Sequence, residues 1–504
     1  DLSPVAHLAA MLGNLPFVNF FDGFRTSHEI QKIAVWDYEE LKELADMEKI
    51  HAFQQGALNP NHPYEMGSAQ NPDVFFQTRE AANPYYDRLP KIVENQMARI
   101  NQRIGTDYRL FNYYGSKNAT KVIVAMGSVC QTIEEVIDHF GERKELGLVK
   151  VHLYRPFARE AFLAELPAGV EQIIVLDRAK EPGAPGEPLY LDVMAAIKDS
   201  RFVRCLVTHG RYGLGSKDTT PGQIAAAFAN AGKKEFTIGI TDDVTHLSLE
   251  EEKDLVTEPQ GVTSCKFWGL GSDGTVGANK NSIRIIGDHT DLEVQAYFEY
   301  DSKKSGGVTV SHLRFGKKAI RAAYLISHAD FVACHCTVYL YKYDMVQELR
   351  EGGTFLLNCP WRAEELDQKL PGQVKRYIAG HNIRFYIIDA VKIAKEIGLG
   401  SRVNTILQAA FFSLTSLLPQ EETVRLMKEA AAKTYARKGE GVVKMNHAAI
   451  DAGMHAAVKV IVPERWKDSR EEKMVQTYRS SNMGKTAWDE SRKEMQRRTE
   501  HFVE

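Results

Sequence analysis

CxxC pairs are missing from this sequence. Its six cysteines (Cys130, Cys205, Cys265, Cys334, Cys336 and Cys359) are spread through apolar segments, whereas an iron–sulfur cluster draws its ligands from closely repeated CxxC spacing. No cluster is expected on the chain itself. Scattered thiols fit a reduced state better than a disulfide framework, so a cytoplasmic protein is expected. Also missing is any run of about 18 apolar residues, the signal for a membrane-spanning helix. Asp1 is followed at once by an apolar stretch (Leu2-Ser3-Pro4-Val5-Ala6) with no basic segment and no initiator methionine. No secretory signal is readable, and the start reads as that of a cut product with sequence upstream. Neither sign of charge dominates. With 63 Lys+Arg against 66 Asp+Glu and a net charge of -3, the chain has no general attraction for nucleic acid or anionic membrane. A phosphate-bearing partner has to be held by local groups.

What is present is a globular composition, 44% hydrophobic and 26% charged over 504 residues, enough for several domains of about 100–200 residues each. Residues 1–115 open with an apolar helical stretch, turn at Asp22-Gly23 and continue as a polar, proline-interrupted stretch. They read as the back half of one domain plus its linker. From 116 to 248 short apolar runs alternate with amphipathic segments. Val122-Ile123-Val124-Ala125-Met126, 149–154, 173–176, 205–208 and 237–241 are strand-like, and 133–140, 158–166, 189–197 and 224–228 are helical. This is the pattern of a parallel sheet with crossover helices. A second α/β domain is expected over 255–460, with strand-like runs at 294–300, 308–315, 331–334, 354–357 and 385–388. The tail 461–504, dense in Lys, Arg and Glu, reads as a solvated helix or a partly disordered segment.

The sharpest local feature is the loop Gly269-Leu270-Gly271-Ser272-Asp273-Gly274-Thr275-Val276-Gly277, which lies between a strand-like run and a helix-compatible segment. Glycines let the backbone turn tightly and approach an anion, while the N–H groups at a helix start supply donors and partial positive charge. Lys280, Lys303 and Lys304 offer cations and Ser305-Gly306-Gly307 a second flexible loop, so a pyrophosphate clamp is one reading. A plain strand-to-helix turn is another. A nicotinamide dinucleotide is a third, because the loop matches GxGxxG and Glu299 and Asp301 follow at the end of the next strand, where ribose hydroxyls would be held.

Cys334-His335-Cys336 has only Cys359 within a modest distance as a further ligand. It reads as a strand end packed in the core and not as a metal site. His28-Glu29 lacks the second histidine of HExxH. Arg25, His28 and Glu29 form a compact polar group suited to positioning a substrate or lining an interface. The stretches 180–187 and 211–218 read as loops at the carboxyl ends of strands, where α/β sheets place their ligands. Neither pairs a nucleophile with a base, which favours interdomain contact over catalysis.

Four motifs occur in one order. They are Phe20-Phe21-Asp22-Gly23-Phe24-Arg25-Thr26-Ser27-His28-Glu29, then Leu176-Asp177-Arg178 with Lys180-Glu181-Pro182-Gly183, then Gly210-Arg211-Tyr212-Gly213-Leu214-Gly215-Ser216-Lys217-Asp218, then the stretch 269–280. Together they closely resemble the pyruvate:ferredoxin (flavodoxin) oxidoreductase family. The resemblance implies an internal fragment: the end of the pyrimidine-side thiamine domain, a transketolase-C-like doubly wound domain, and an α/β coenzyme A-binding domain. It implies that Gly271, Ser272, Asp273, Gly274, Thr275 and Lys303 contact coenzyme A, and that Asn404 and Asn446 are further contacts.

For the complete enzyme the resemblance implies oxidative decarboxylation of pyruvate to acetyl-coenzyme A, with ferredoxin or flavodoxin as electron carrier, and a homodimer. Thiamine diphosphate, Mg2+ and [4Fe-4S] clusters belong, on this reading, to domains outside the sequence, and no catalytic or metal-binding residue is assigned within it. The alternatives are a non-catalytic subunit or stand-alone coenzyme A-binding module, and an NAD-linked enzyme.

Overall fold

The computed structural model describes residues 1–63, 67, 69–141, 145–241, 243–252, 255–300 and 307–470. The chain forms two compact units. Unit 1 holds Asp1–His28, Ile33–Glu258 and Arg321–Leu325, and unit 2 holds Glu29–Lys32, Pro259–Ile320 and the chain from Ile326 onward. In chain order the strands are β1 (Ile30–Gln31), β2 (Phe111–Gly115), β3 (Lys121–Ala125), β4 (Leu146–Val151), β5 (Gln172–Asp177), β6 (Leu206–Arg211), β7 (Glu235–Thr237), β8 (Val262–Leu270), β9 (Glu293–Tyr300), β10 (Val308–Gly316), β11 (Ala329–Cys334), β12 (Leu349–Asn358), β13 (Arg384–Ile388) and β14 (Val458–Lys459).

The sheet of unit 1 has the order β2-β4-β3-β5-β6-β7. All neighbours are parallel except β2, which closes one edge antiparallel to β4. Strands buried on both faces read as unbroken apolar runs, which is why this sheet is visible in the sequence. Val122 and Val124 face a core shared with helices Leu2–Gly13, Asn83–Ile104 and Pro188–Ile197. Ile123 and Ala125, pointing the other way, meet helices Val129–Phe140 and Pro221–Ala229. Burying each such side chain contributes about 1.5–3 kcal/mol. Ile123→Ala, at a fully buried position, would forfeit about 2–5 kcal/mol, part of it as an unfilled cavity.

Unit 2 carries the order β1-β9-β10-β8-β11-β12-β13-β14. The α/β expectation holds here with one rearrangement that periodicity does not reveal. β8, β11, β12 and β13 are parallel, but β10 is antiparallel to both β8 and β9 and lies between them. Phe267, Phe331, Ala333 and Leu356 pack against helices Thr275–His289, Asn404–Thr415 and Glu440–Gly453. Trp268, Val332, Phe355 and Leu357 project into the opposite core. Within the stretch read as a charged tail, Trp466 is buried and its indole N–H donates to Asp367 at 2.7 Å. Among the described residues no helix is long and apolar enough to cross a membrane.

Candidate functional site

β8 runs out into the glycine-rich loop, and the Thr275–His289 helix begins directly after it. Ser272 (φ 73°) and Gly274 (φ 92°) both take left-handed backbone conformations. Glycine does so freely, whereas serine there costs on the order of 1 kcal/mol, so the turn is tight and partly strained. Gly269 has a different reason to be glycine: a Cβ on it would lie 2.6 Å from Thr275 Oγ1. The helix start can therefore seat close against the strand.

Asp273 closes the loop. Its carboxylate accepts N–H bonds from Leu270 at 2.9 Å and Thr275 at 2.7 Å, and a negative group beside a helix N-terminus is favourable. The same carboxylate offsets part of the positive potential there, so a bound phosphate needs a further cation. Lys303, the sequence candidate for that cation, lies outside the described residues, as do Asp301, Lys304, Ser305 and Gly306. The Gly307 carbonyl accepts the Gly271 N–H at 2.7 Å, which ties the start of β10 to the glycine-rich loop. The ammonium of Lys280 sits 5.3 Å from the Phe298 ring centroid, a cation–π contact.

The structure joins Asn404 to the loop directly. Asn404 opens the Asn404–Thr415 helix, and a Cβ on Gly274 would stand 3.1 Å from its side-chain carbon and nitrogen. Asn446 joins indirectly. It is buried, its oxygen accepts from the Thr405 hydroxyl at 3.0 Å and its nitrogen donates to Val442 at 2.9 Å. Its hydrogen bond is thus to Thr405, the residue beside Asn404. On the Thr275–His289 and Asn404–Thr415 helices, Asn279 Nδ2 and Gln408 Nε2 are buried and have no hydrogen-bond partner among the described residues. Each lies one helical turn beyond Thr275 and Asn404 respectively. Unpaired buried donors are uncommon in native proteins.

His335 was missed by the sequence reading. The Cys334 end of β11 is packed in the core as expected, but His335 Nδ1 lies 2.8 Å from Thr275 Oγ1. Its backbone is fixed as well, donating to Trp268 at 2.9 Å and accepting from Asn358 Nδ2 at 3.1 Å. Burial pushes the imidazole down to about 4, against the pull of Asp273, so it is neutral at neutral pH. The available signal was positional: a residue just past a strand parallel to β8 falls at the same sheet edge as the loop.

The dinucleotide alternative loses its geometry. With β10 inserted, the strand that follows the helix is not beside β8, and Glu299 accepts from His312 Nε2 at 2.6 Å. Arg25, His28 and Glu29 do not form one group. Arg25 donates to the Ala322 and Tyr324 carbonyls at 3.1 and 3.0 Å, His28 stacks on Phe24, and Glu29 accepts from Gln295 Nε2 at 3.1 Å. The two strand-end loops of unit 1 serve structure. Glu187 accepts from Arg211 at 3.0 Å and from the Glu181 N–H at 2.7 Å, and Asp218 accepts the Leu325 N–H at 3.2 Å. Burial raises the Asp177 carboxyl to about 6, although the Leu189 and Tyr190 N–H groups bond it and oppose the shift.

Three family models match the chain. Residues 1–98 match the pyruvate flavodoxin/ferredoxin oxidoreductase, thiamine diP-binding model. Residues 119–224 match pyruvate:ferredoxin oxidoreductase core domain II, and residues 264–456 match pyruvate ferredoxin/flavodoxin oxidoreductase. The pyruvate:ferredoxin oxidoreductase of Moorella thermoacetica is 53% identical over 477 residues, 94% of this chain and 41% of that protein. The pyruvate-flavodoxin oxidoreductase of Enterobacter agglomerans is 53% identical over 473 residues, 93% of this chain and 40% of that protein. This chain thus spans about two fifths of the length of these relatives. Among solved structures, a pyruvate oxidoreductase subunit from Thermotoga maritima aligns over 40% of this chain and 99% of its own, at 20% identity and a TM-score of 0.33.

Proposed function

The chain belongs to the pyruvate:ferredoxin/flavodoxin oxidoreductase family, and from that premise we propose that it is the part of such an enzyme that binds coenzyme A. The observation that carries this reading is the close approach of Asn404 to Gly274 at the start of the Thr275–His289 helix. There a backbone without side chains and an amide meet at the carboxyl end of a parallel strand, the place where open α/β sheets take ligands. Gly271, Ser272, Asp273, Gly274 and Thr275 form the turn, Lys303 supplies the cation, and Asn404 reaches the ligand, held in place by Thr405 and Asn446. Asn279 and Gln408 offer the buried donors that a ligand rich in carbonyl, hydroxyl and phosphoryl oxygens would satisfy.

The whole enzyme, on this proposal, converts pyruvate and coenzyme A to acetyl-coenzyme A and carbon dioxide and passes two electrons to ferredoxin or flavodoxin. Thiamine diphosphate, Mg2+ and iron–sulfur clusters supply the decarboxylation and electron-transfer chemistry. We assign them to the remaining length of the relatives. Among the described residues no group of three or more His, Cys, Asp or Glu is arranged to hold a metal ion. Thermal-shift titration of the purified chain separates the proposal from its dinucleotide rival. Coenzyme A is expected to raise the midpoint and NADH to leave it unchanged, and the opposite pattern would reject the assignment.

A further inference from the structure

The sheet of unit 1 has a topological switch point, and it is filled from within the chain. β3 is followed by β4 on one side, and the next crossover carries the chain to β5 on the other. Open α/β sheets bind ligands in the crevice that this reversal leaves outside the carboxyl ends of the two strands. Here those ends are Met126-Gly127-Ser128 after β3 and Asp177-Arg178 at β5. Between them sits the side chain of Asp22, only 10% exposed. Its carboxylate accepts the Ser128 N–H at 3.1 Å, the Ser128 hydroxyl at 2.5 Å and Arg178 Nη1 at 2.9 Å. Ser128 is the residue that opens the Val129–Phe140 helix, so the carboxylate also meets the positive end of that helix.

Two glycines make the room. Gly127 has φ 81°, and a Cβ on it would lie 3.1 Å from Asp22 Oδ1. Arg178 donates its Nε to the Gly213 carbonyl at 3.0 Å, and a Cβ on Gly213 would meet that nitrogen at 3.0 Å. Asp22, Arg178 and Gly213, drawn from three of the four sequence motifs, thus lie in one chain of contacts. Among the described residues Val18, Phe20, Phe21 and Phe24 are 83%, 61%, 62% and 60% exposed, and the polar contacts of this segment run through Asp22 and Arg25.

We infer that the crevice between β3 and β5 is a carboxylate-binding site whose ligand is the side chain of Asp22, and that this contact seats segment 20–28 on unit 1. The site is built as an oxyanion receptor, with a helix start, a hydroxyl and a guanidinium, and it is satisfied in cis.

The test uses the full chain and trypsin, because Arg25 is buried while the segment is seated. In Asp22→Ala, cleavage after Arg25, read by mass spectrometry, is expected to be about ten- to a hundredfold faster than in the parent, the factor that loss of a charge-assisted hydrogen-bonded pair gives. Sodium formate should slow it again, sodium chloride at equal ionic strength should not, and Asp22→Ala/Arg178→Ala should not respond to formate. Unchanged cleavage in Asp22→Ala, or equal rescue by chloride, overturns the inference. Should the alanine variant fail to fold, Asp22→Asn keeps the volume and removes the charge. Faster cleavage after Arg25 in it supports the inference, and parental cleavage overturns it.

Discussion

Thr275 and His335 lie 60 positions apart in sequence and 2.8 Å apart at Oγ1 and Nδ1. The contact links the first residue of the loop's helix to the end of a neighbouring parallel strand. His335→Ala leaves the Thr275 hydroxyl without that partner, a cost of about 1–3 kcal/mol where the group is buried. We expect a lower unfolding midpoint and weaker coenzyme A binding together. The pH dependence has a definite sign. The imidazole titrates at about 4 in the fold and near 6.5 when unfolded, so the unfolded chain binds the proton more readily. Stability from this group is complete above about pH 6.5 and is lost as pH falls toward 4. His335→Asn should fall less steeply with pH than the parent across that window in urea titrations; parallel curves would deny His335 this role.

Gly274 and Gly277 should respond oppositely to the same substitution. Gly274→Ala forces a side chain into a left-handed conformation and against Asn404, for about 1–3 kcal/mol of destabilisation. Gly277 lies inside the helix, and a Cβ on it would meet nothing within 4 Å, so Gly277→Ala should stabilise by about 0.5–1 kcal/mol. Urea midpoints decide this, and equal shifts of one sign would show that the turn is not strained where the backbone places it.

Asp22 predicts an acid-sensitive seat. Burial raises its carboxyl, but the Ser128 bonds and Arg178 outweigh that and hold it below the ordinary carboxylate range. A group depressed in this way contributes stability above the unfolded value of about 3.9 and loses it as pH falls through the lower folded value. The stability gap between the parent and Asp22→Asn should be full at pH 6 and shrink below about pH 4. A gap independent of pH would mean that the charge is not what matters.

Much of this architecture was readable. β3 and β5 stand within a residue or two of the expected runs at 122–126 and 173–176, because strands buried on both faces admit only apolar side chains. The loop at Gly269 was readable for a related reason, since its glycines answer to backbone geometry. Strand order was not. Nothing in the periodicity of β10 says that it inserts between β8 and β9, and β1 and β14, two residues each, are strands only by virtue of their partners. The same limit hid His335 and Asp22, whose partners Thr275, Ser128 and Arg178 are distant in sequence. Residue type announced a polar group in each case, and only the crossover topology says what it meets.

Lys266 and Glu348 offer a prediction about the sheet itself. Lys266 is buried in β8, its ammonium 2.7 Å from Glu348. Glu348→Ala would leave that charge unpaired, at a cost of about 3–5 kcal/mol where the site stays closed to water. A midpoint within error of the parent would show that water reaches the pair.

The central claim is tested most directly by isothermal titration of coenzyme A into the purified chain, beside Lys303→Ala and Asn404→Ala. The account predicts one site per chain, weakened about tenfold or more by either substitution, as expected on removing a charge-assisted or directional contact to the ligand. No heat of binding in the folded parent chain, or affinity unchanged in both variants, would contradict it.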